Sequence, residues 1–151
     1  MHSTQEMSEF QQLLSILAQP NWLFFFYTDE DQSMGVRGAM QQIEWNDFLK
    51  VEIRVGRIVQ AEVFKEARNP AYILHVDFGE ELGIKKSSAQ ITELYQPEQL
   101  MGKLVAAVVN FPKKQIGPIQ SECLVTGFHN ASGQVALCVP DMDVPLGTKL
   151  L

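Results

Sequence analysis

Three short polar segments hold the residues whose types suit binding of a phosphate-rich ligand. Residues 85–90 (KKSSAQ) place two cations beside several hydrogen-bonding groups, and residues 110–115 (NFPKKQ) combine an amide, an aromatic ring and two more cations. Residues 68–70 (RNP) form a third polar turn. Ammonium groups hold phosphates while a ring stacks on a base, so this mixture is typical of sites for single-stranded or looped nucleic acid. Each segment alone also fits an ordinary solvated loop.

Side chains able to run catalysis or hold a metal form no recognisable motif. His2, His75 and His129 are scattered, and the chain has no His-x-Glu, Cys-x-x-Cys or His-Glu-x-x-His arrangement. It also lacks a Gly-x-Ser-x-Gly elbow, a Walker loop and a dinucleotide fingerprint. We therefore expect a protein that is not an enzyme and that uses no cofactor and no metal.

The cysteines and the apolar runs bear on the cellular compartment. Cys123 and Cys138 are the only cysteines, and both lie in apolar, alternating stretches that predict buried, reduced thiols. The longest apolar run, residues 22–27, is far shorter than the ~20 residues that span a bilayer. No signal-peptide pattern opens the chain. These observations favour a cytoplasmic protein without membrane insertion.

The net charge of −6 argues against a broad phosphate-binding footprint, but its distribution leaves room for a local one. Residues 1–47 carry seven acidic side chains against Arg37 alone. Residues 48–151 hold eleven acidic and eleven basic side chains and are therefore neutral. A basic patch can form on this neutral part of the chain.

Strand-like segments follow one another from residue 51 onward. The alternation is clearest where Tyr72, Leu74, Val76 and Phe78 fall on one face. Short helices are predicted at residues 43–49 and 90–100, and further strands at residues 51–64 (with a bend or bulge at Gly56), 84–89, 104–111 (buried on both sides), 121–128 and 135–139. Several short strands with one interposed helix indicate an all-β barrel.

Residues 1–39 differ from the rest and are expected to form an N-terminal extension outside the domain of residues 40–151. A weak helical pattern at residues 8–17 ends at Pro20 and is followed by the aromatic run of residues 22–27. That run is either a docking site for a partner protein or an element that touches a membrane. Alternatively, the extension is disordered or lies upstream of the true start, and we hypothesise that translation begins at Met40.

Five segments from residue 51 onward give the chain a family resemblance. They are residues 51–58 (VEIRVGRI), 76–79 (VDFG), 84–91 (IKKSSAQI), 108–112 (VVNFP) and 121–125 (SECLV). In this order they resemble the CsaA family of the tRNA-binding OB-fold superfamily. The resemblance implies a five-stranded OB-fold barrel with short flanking helices and terminal extension strands. It also implies a homodimer, joined through residues 43–49 and 139–151, that binds tRNA or unfolded preprotein segments and serves protein export.

The same resemblance implies a set of ligand-facing residues. The lysines meet phosphate, and Glu122 orients its neighbours. Asn110 and Ser121 either bond the ligand or fix the loop, and Ser121 with Glu122 can equally anchor the loop against a lysine. The full set is Arg68, Lys85, Lys86, Ser87, Asn110, Lys113, Lys114, Ser121 and Glu122.

Two functional alternatives remain open at this point. In one, the barrel binds tRNA through its lysines. In the other, the protein is purely a peptide-binding secretion chaperone, whose apolar groove holds extended polypeptide by burying its side chains. The aromatic residues that either line this groove or fill the barrel core are Phe64, Tyr72, Phe111 and Phe128.

Overall fold

Short strands with alternating buried side chains build the part of the chain that the computed structural model describes, residues 40–151. The hypotheses on the helix at residues 8–17, the aromatic run of residues 22–27 and the extension as a whole lie outside the described residues. Two short helices are α1 (Trp45–Leu49) and α2 (Pro97–Leu100). The strands are β1 (Ile53–Val63), β2 (Tyr72–Asp77), β3 (Ile84–Ala89), β4 (Leu104–Val108), β5 (Lys114–Ile116), β6 (Ile119–Ser121), β7 (Leu124–Val125), β8 (Gly127–His129) and β9 (Val135–Leu137).

Strand β1 is long enough to pair with two neighbours and organises the main sheet. The strand order is β3-β2-β1-β4-β7, and every pairing is antiparallel. The first part of β1 pairs with β4 and the last part with β2. A register shift between Ile58 and Gln60 marks a bulge, which bends the strand from one partner to the other. Strands β5 and β6 form a separate hairpin, as do β8 and β9.

The free edge of β3 meets the segment that follows β6. The backbone N–H of Glu122 donates to the Lys86 carbonyl at 2.8 Å. This contact brings the two ends of the five-stranded sheet together into a nearly closed barrel. The predicted five-stranded OB-fold barrel with few short helices is therefore confirmed.

The inner face of the barrel carries the core. Tyr72, Leu74 and Val76 are all buried and alternate along β2 as predicted, and Phe78 extends the series. Burying each such side chain contributes about 1.5–3 kcal/mol. Strand β4 was expected to be buried on both sides, but its outer residue Ala106 is only half-buried. At the edge of β4 the Ala106 N–H donates to the Cys138 carbonyl, so the C-terminal part of the chain continues the hydrogen bonding there.

Of the bend or bulge predicted at Gly56, the bulge is wrong, because the register shift lies between Ile58 and Gln60. Gly56 faces the core, where a Cβ would lie 2.5 Å from Val76 Cγ1 and 2.7 Å from Phe78 Cε1. The glycine is needed because these two side chains pack against the β1 backbone. The helix predicted over residues 90–100 shrinks to α2, whose first residue, Pro97, lacks the N–H that would continue a helix from upstream.

A C-terminal strap, residues 147–150, runs along the start of β1. Gly147 N–H donates to the Val55 carbonyl at 2.8 Å, and Val55 N–H donates to the Thr148 carbonyl at 3.0 Å. Lys149 Nζ adds a contact of 3.1 Å to Glu52 Oε1. The strap thus acts as a further edge segment, in line with the predicted terminal extension.

The strap depends on a glycine with a left-handed backbone. Gly147 has φ of 80°, and a Cβ there would lie 2.6 Å from the Phe78 carbonyl oxygen. We predict that Gly147→Ala lowers the free energy of unfolding by about 2–4 kcal/mol, because backbone strain and a steric clash add. Gly133 is the matched control, since it has the same φ but nothing within 4 Å of its Cβ position. Gly133→Ala should show only the strain of about 1–2 kcal/mol. Equal losses in urea unfolding would contradict the steric role of Phe78.

Candidate nucleic-acid interface

The β5–β6 hairpin carries the second lysine pair and reaches the loop between β1 and β2. Its turn contains Gly117 at φ of 54°, whose carbonyl accepts a hydrogen bond from Gln115 Nε2 at 2.8 Å. A Cβ at Gly117 would lie 3.5 Å from Phe64 Cζ and 3.8 Å from the Glu66 carbonyl oxygen. The hairpin tip therefore touches the loop that also carries the exposed Arg68.

Glu122 joins this hairpin to the edge of β3. Its Oε1 accepts from Lys113 Nζ at 2.8 Å, and its Oε2 accepts from the backbone N–H of Lys86 at 3.1 Å. Its own N–H donates to the Lys86 carbonyl. Glu122 therefore makes two hydrogen bonds to Lys86 on the edge of β3, and it also holds the Lys113 ammonium.

Neighbouring positive groups stabilise the ionised form of Glu122. The hydrogen bond from Lys113 lowers the pKa of Glu122 most, the Lys86 N–H lowers it further, and the nearby charge of Lys85 also contributes, while burial opposes them. The carboxylate is therefore ionised at neutral pH. The Lys113 side chain stays 62% exposed, so its ammonium remains available to an anion. Burial lowers the pKa of the neighbouring Lys114.

Lys85 and Lys86 point to opposite faces of the sheet because side chains alternate along a strand. Lys86 lies on the outer face, opposite His75 in register, whereas Lys85 shares the inner side with Ser87. Ser87 pairs with Leu74 in the core and is only 1% exposed. The expectation that Ser87 faces the ligand is therefore wrong.

Asn110 and Ser121 form hydrogen bonds that fix their own loops. Asn110 Oδ1 accepts from the Glu52 N–H at 3.0 Å, and its Nδ2 donates to the Lys50 carbonyl at 2.7 Å. Ser121 Oγ donates to the Cys123 carbonyl at 3.2 Å. Ligand contact and loop fixing were both open for each residue, and these hydrogen bonds are of the loop-fixing kind.

The predicted residues thus divide into a cluster and several outliers. Lys85, Lys113 and Glu122 come together, and Lys86 joins them through its backbone. Lys114 lies one residue away on the same hairpin. Sequence reasoning did not single out Lys65, which is exposed in the same β1–β2 loop as Arg68. Lys65 is followed directly by Glu66, and such a pair of opposite charges is typical of an ordinary solvated surface.

The four aromatic residues do not form one exposed set. Phe64 is 3% exposed and Tyr72 is 4% exposed, and Tyr72 Oη donates to the Tyr95 carbonyl at 3.0 Å. Both belong to the core, which is one of the two positions left open for them by the sequence. Phe111 and Phe128 are exposed, and Phe128 stands on the β8–β9 hairpin.

Metal and thiol chemistry find little support in the described residues. Within residues 40–151, no three His, Cys, Asp or Glu side chains are grouped to hold a metal ion. Cys123 and Cys138 are both free thiols, the first buried and the second half-buried. Burial raises the pKa of Cys123 to about 12, so this thiol is protonated and unreactive at neutral pH. In the same part of the chain, no helix has the length and apolar character of a membrane span.

Comparison with known proteins covers most of the barrel. Residues 53–149 match the family described as "Putative tRNA binding domain". The chain is similar to the crystal structure of chaperone CsaA from Bacillus anthracis str. Ames, with 49% identity and a TM-score of 0.69 over 74% of this chain and 100% of that one. For the CsaA chaperone from Picrophilus torridus the identity is 48% and the TM-score 0.68, over 73% of this chain and 100% of that one.

A second group of relatives consists of much longer proteins. The methionine–tRNA ligase of Pyrococcus horikoshii is 32% identical over 111 residues, which cover 74% of this chain. The chain spans only about 15% of the length of that ligase. The similarity therefore concerns a single domain of the ligase and not the ligase as a whole.

The pKa of Glu122 gives a pH-dependent prediction. Because its native pKa lies below the ordinary value of 4.5, the Lys113–Glu122 pair stabilises the fold above that pH and loses this contribution as pH falls through the native pKa. Glu122→Gln should lower the free energy of unfolding by about 1 kcal/mol at neutral pH, since Lys113 is largely solvated. The difference from the parent protein should shrink between pH 7 and pH 3, because protonation of the Glu122 carboxylate removes its pairing with Lys113. Urea unfolding at both pH values tests this, with Glu98→Gln in α2 as the matched control. A pH-independent difference would contradict it.

Proposed function

We propose that this chain, which belongs to the tRNA-binding domain family and is of the CsaA type, binds tRNA without catalysing a reaction. The observation that carries the proposal is the position of Lys113. Its exposed ammonium forms an ion pair with Glu122. Glu122 follows the β5–β6 hairpin and is itself hydrogen-bonded to β3. A pre-positioned lysine loses less side-chain freedom when it meets a phosphate.

The place of the lysines on the barrel supports the same function. OB-fold proteins bind oligonucleotides on the face of strands 2 and 3, between the loops that follow strands 1 and 4. Here the loop after β1 carries Lys65 and Arg68, and the segment after β4 forms the β5–β6 hairpin with Lys113 and Lys114. Basic side chains that suit contact with phosphate therefore lie on both loops.

The overall charge limits how strong this binding can be. Residues 48–151 are neutral, and the lysine cluster includes the carboxylate of Glu122. Each phosphate neutralised contributes a slope of about 0.7–0.9 to the dependence of log affinity on log salt concentration. Four to six cations correspond to a moderate slope, so we propose recognition of a structured tRNA region by a few contacts rather than wide coating of the RNA.

A second candidate function is chaperone activity towards exported preproteins. It is favoured by the exposed rings of Phe111 and Phe128 and by the chaperone names of the similar structures. Such rings can bury against apolar side chains of an unfolded segment. The core position of Phe64 and Tyr72 removes half of the expected groove, so tRNA binding is the stronger proposal. The alternative of a purely peptide-binding secretion chaperone would have to use Phe111 and Phe128 without Phe64 and Tyr72.

We further propose a cytoplasmic homodimer whose tRNA-binding OB-fold domain comprises residues 40–151, with residues 1–39 as an extension. Large apolar side chains in the two terminal segments are exposed and suit contact with a second copy. These include Ile43, Trp45, Val139 and Leu150. Partners beyond the second copy are tRNA and, for the chaperone function, unfolded preprotein or the export machinery.

Removing both hairpin lysines tests the site. Replacing Lys113 and Lys114 with Ala should weaken tRNA binding by about tenfold at 100 mM salt and flatten the salt slope by about 1.5, because two phosphate contacts are lost. The dimer should persist, since neither lysine lies in the terminal segments. Filter binding between about 50 and 200 mM salt measures both quantities.

Lys103→Ala, just before β4, is the matched control and should leave the salt slope unchanged. Binding of an unfolded apolar peptide should barely respond to salt, which separates the two candidate functions. Unchanged tRNA affinity in the double variant would refute this placement of the site.

A further inference from the structure

The Glu122 carboxylate lies within the cluster of lysines proposed to bind phosphate. Glu122 lies 2.8 Å from the Lys113 ammonium and is ionised, because its pKa is lowered. An ionised carboxylate repels a phosphate that approaches the same lysine. Its roles in sealing β3 and holding Lys113 do not remove this repulsion, but a favourable contact from the carboxylate to the same ligand would offset it.

The Glu122 carboxylate can accept further hydrogen bonds. An ionised carboxylate has about four lone-pair sites that accept hydrogen bonds, and it donates no hydrogen bond. In the structure its two oxygens accept hydrogen bonds from Lys113 Nζ and from the Lys86 N–H. The side chain is still 23% exposed, so solvent and ligand can reach it. Its free capacity therefore suits a hydroxyl donor and not an anion.

The carboxylate is also fixed in place. Its Oε2 is bound to the backbone of β3, and the Glu122 N–H is bonded to the same residue of that strand. These two bonds to β3 limit how far the carboxylate can move from Lys113. A fixed acceptor beside a phosphate-binding cation forms a two-point site, in which the two recognised groups must lie a few ångströms apart on the ligand.

We propose that Glu122 accepts a hydrogen bond from a ribose 2′-hydroxyl while Lys113 contacts the adjoining phosphate, so that this pair distinguishes RNA from DNA. The inference rests on the proposed function, since it specifies the ligand of the same site. The 2′-hydroxyl is the donor that RNA has and DNA lacks. It sits on the sugar carbon next to the one that bears the 3′-phosphate, which matches the close spacing of carboxylate and ammonium.

The experiment compares three versions of one hairpin oligonucleotide with a tRNA-like loop. The versions are RNA, all-deoxy with uracil retained, and 2′-O-methyl RNA, which keeps an RNA-like helix but has no hydroxyl donor. Affinities of the parent protein, Glu122→Ala, Glu122→Gln, Lys113→Ala and the control Glu98→Gln are measured by fluorescence anisotropy. Thermal unfolding of each variant checks that the barrel is intact.

The parent protein should prefer RNA over both other versions by about 10- to 100-fold, the expected worth of one hydrogen bond to a charged group. Glu122→Ala should reduce this preference to about 1, mainly by weakening RNA binding. Glu122→Gln, whose amide oxygen keeps the bond to the Lys86 N–H, should retain part of the preference. Lys113→Ala should weaken binding to all three versions by a similar factor, and Glu98→Gln should change nothing.

Two results would overturn the inference and leave the proposed function intact. One is equal affinity of the parent protein for RNA and 2′-O-methyl RNA. The other is a Glu122→Ala variant that binds all versions more tightly by the same factor, as pure charge repulsion requires. Binding of RNA that is insensitive to Lys113→Ala would overturn the placement of the site, and no binding of any version by the parent protein would overturn both proposals.

Discussion

The free edge of β3 must be satisfied before the five-stranded sheet can close. Backbone N–H and C=O groups at a buried edge need partners, and β7 is only two residues long and pairs with β4. Glu122 supplies both partners for Lys86, one from its backbone and one from its side chain. The same carboxylate holds Lys113. Closure of the barrel and positioning of the phosphate-binding lysine are therefore one interaction.

A second group of contacts secures the base of the hairpin. The Asn110 side chain offers a donor and an acceptor in one amide, and it bonds both the Lys50 carbonyl and the Glu52 N–H. The hydrogen bond from Lys149 is the largest cause that lowers the pKa of Glu52, and this ion pair adds the C-terminal strap to the group. The segment that leaves β4 is thus tied to both terminal segments before it turns into the hairpin.

The sequence predicts the features that depend on local periodicity. Alternation in β2 was enough to assign its inner face, and the number of short strands was enough for the barrel. The same alternation along β3 puts Ser87 beside Leu74 in the core, although the family resemblance had put Ser87 with the ligand-facing lysines. The bulge after Ile58 could not be located, because it is set by how β1 exchanges one partner strand for another.

The arrangement of the site depends on contacts between distant parts of the chain. Glu122 and Lys86 are separated by 36 positions, and Asn110 and Lys50 by 60, so no local pattern reveals these bonds. The sequence left Phe64 either in a groove or in the core, and its burial where the hairpin turn meets its loop is a feature of the fold. Which residues are polar and basic could be read from the sequence, whereas their partners required the fold.

The central claim is that tRNA meets this protein where the hairpin is bound to β3. Titrating the ¹⁵N-labelled protein with unfractionated tRNA and following its amide signals by NMR tests this claim most directly. The account predicts that the largest changes fall on Lys86, Lys113 and Glu122 and weaken as salt is raised. Changes confined to the β8–β9 hairpin around Phe128, with these three amides unaffected, would contradict it.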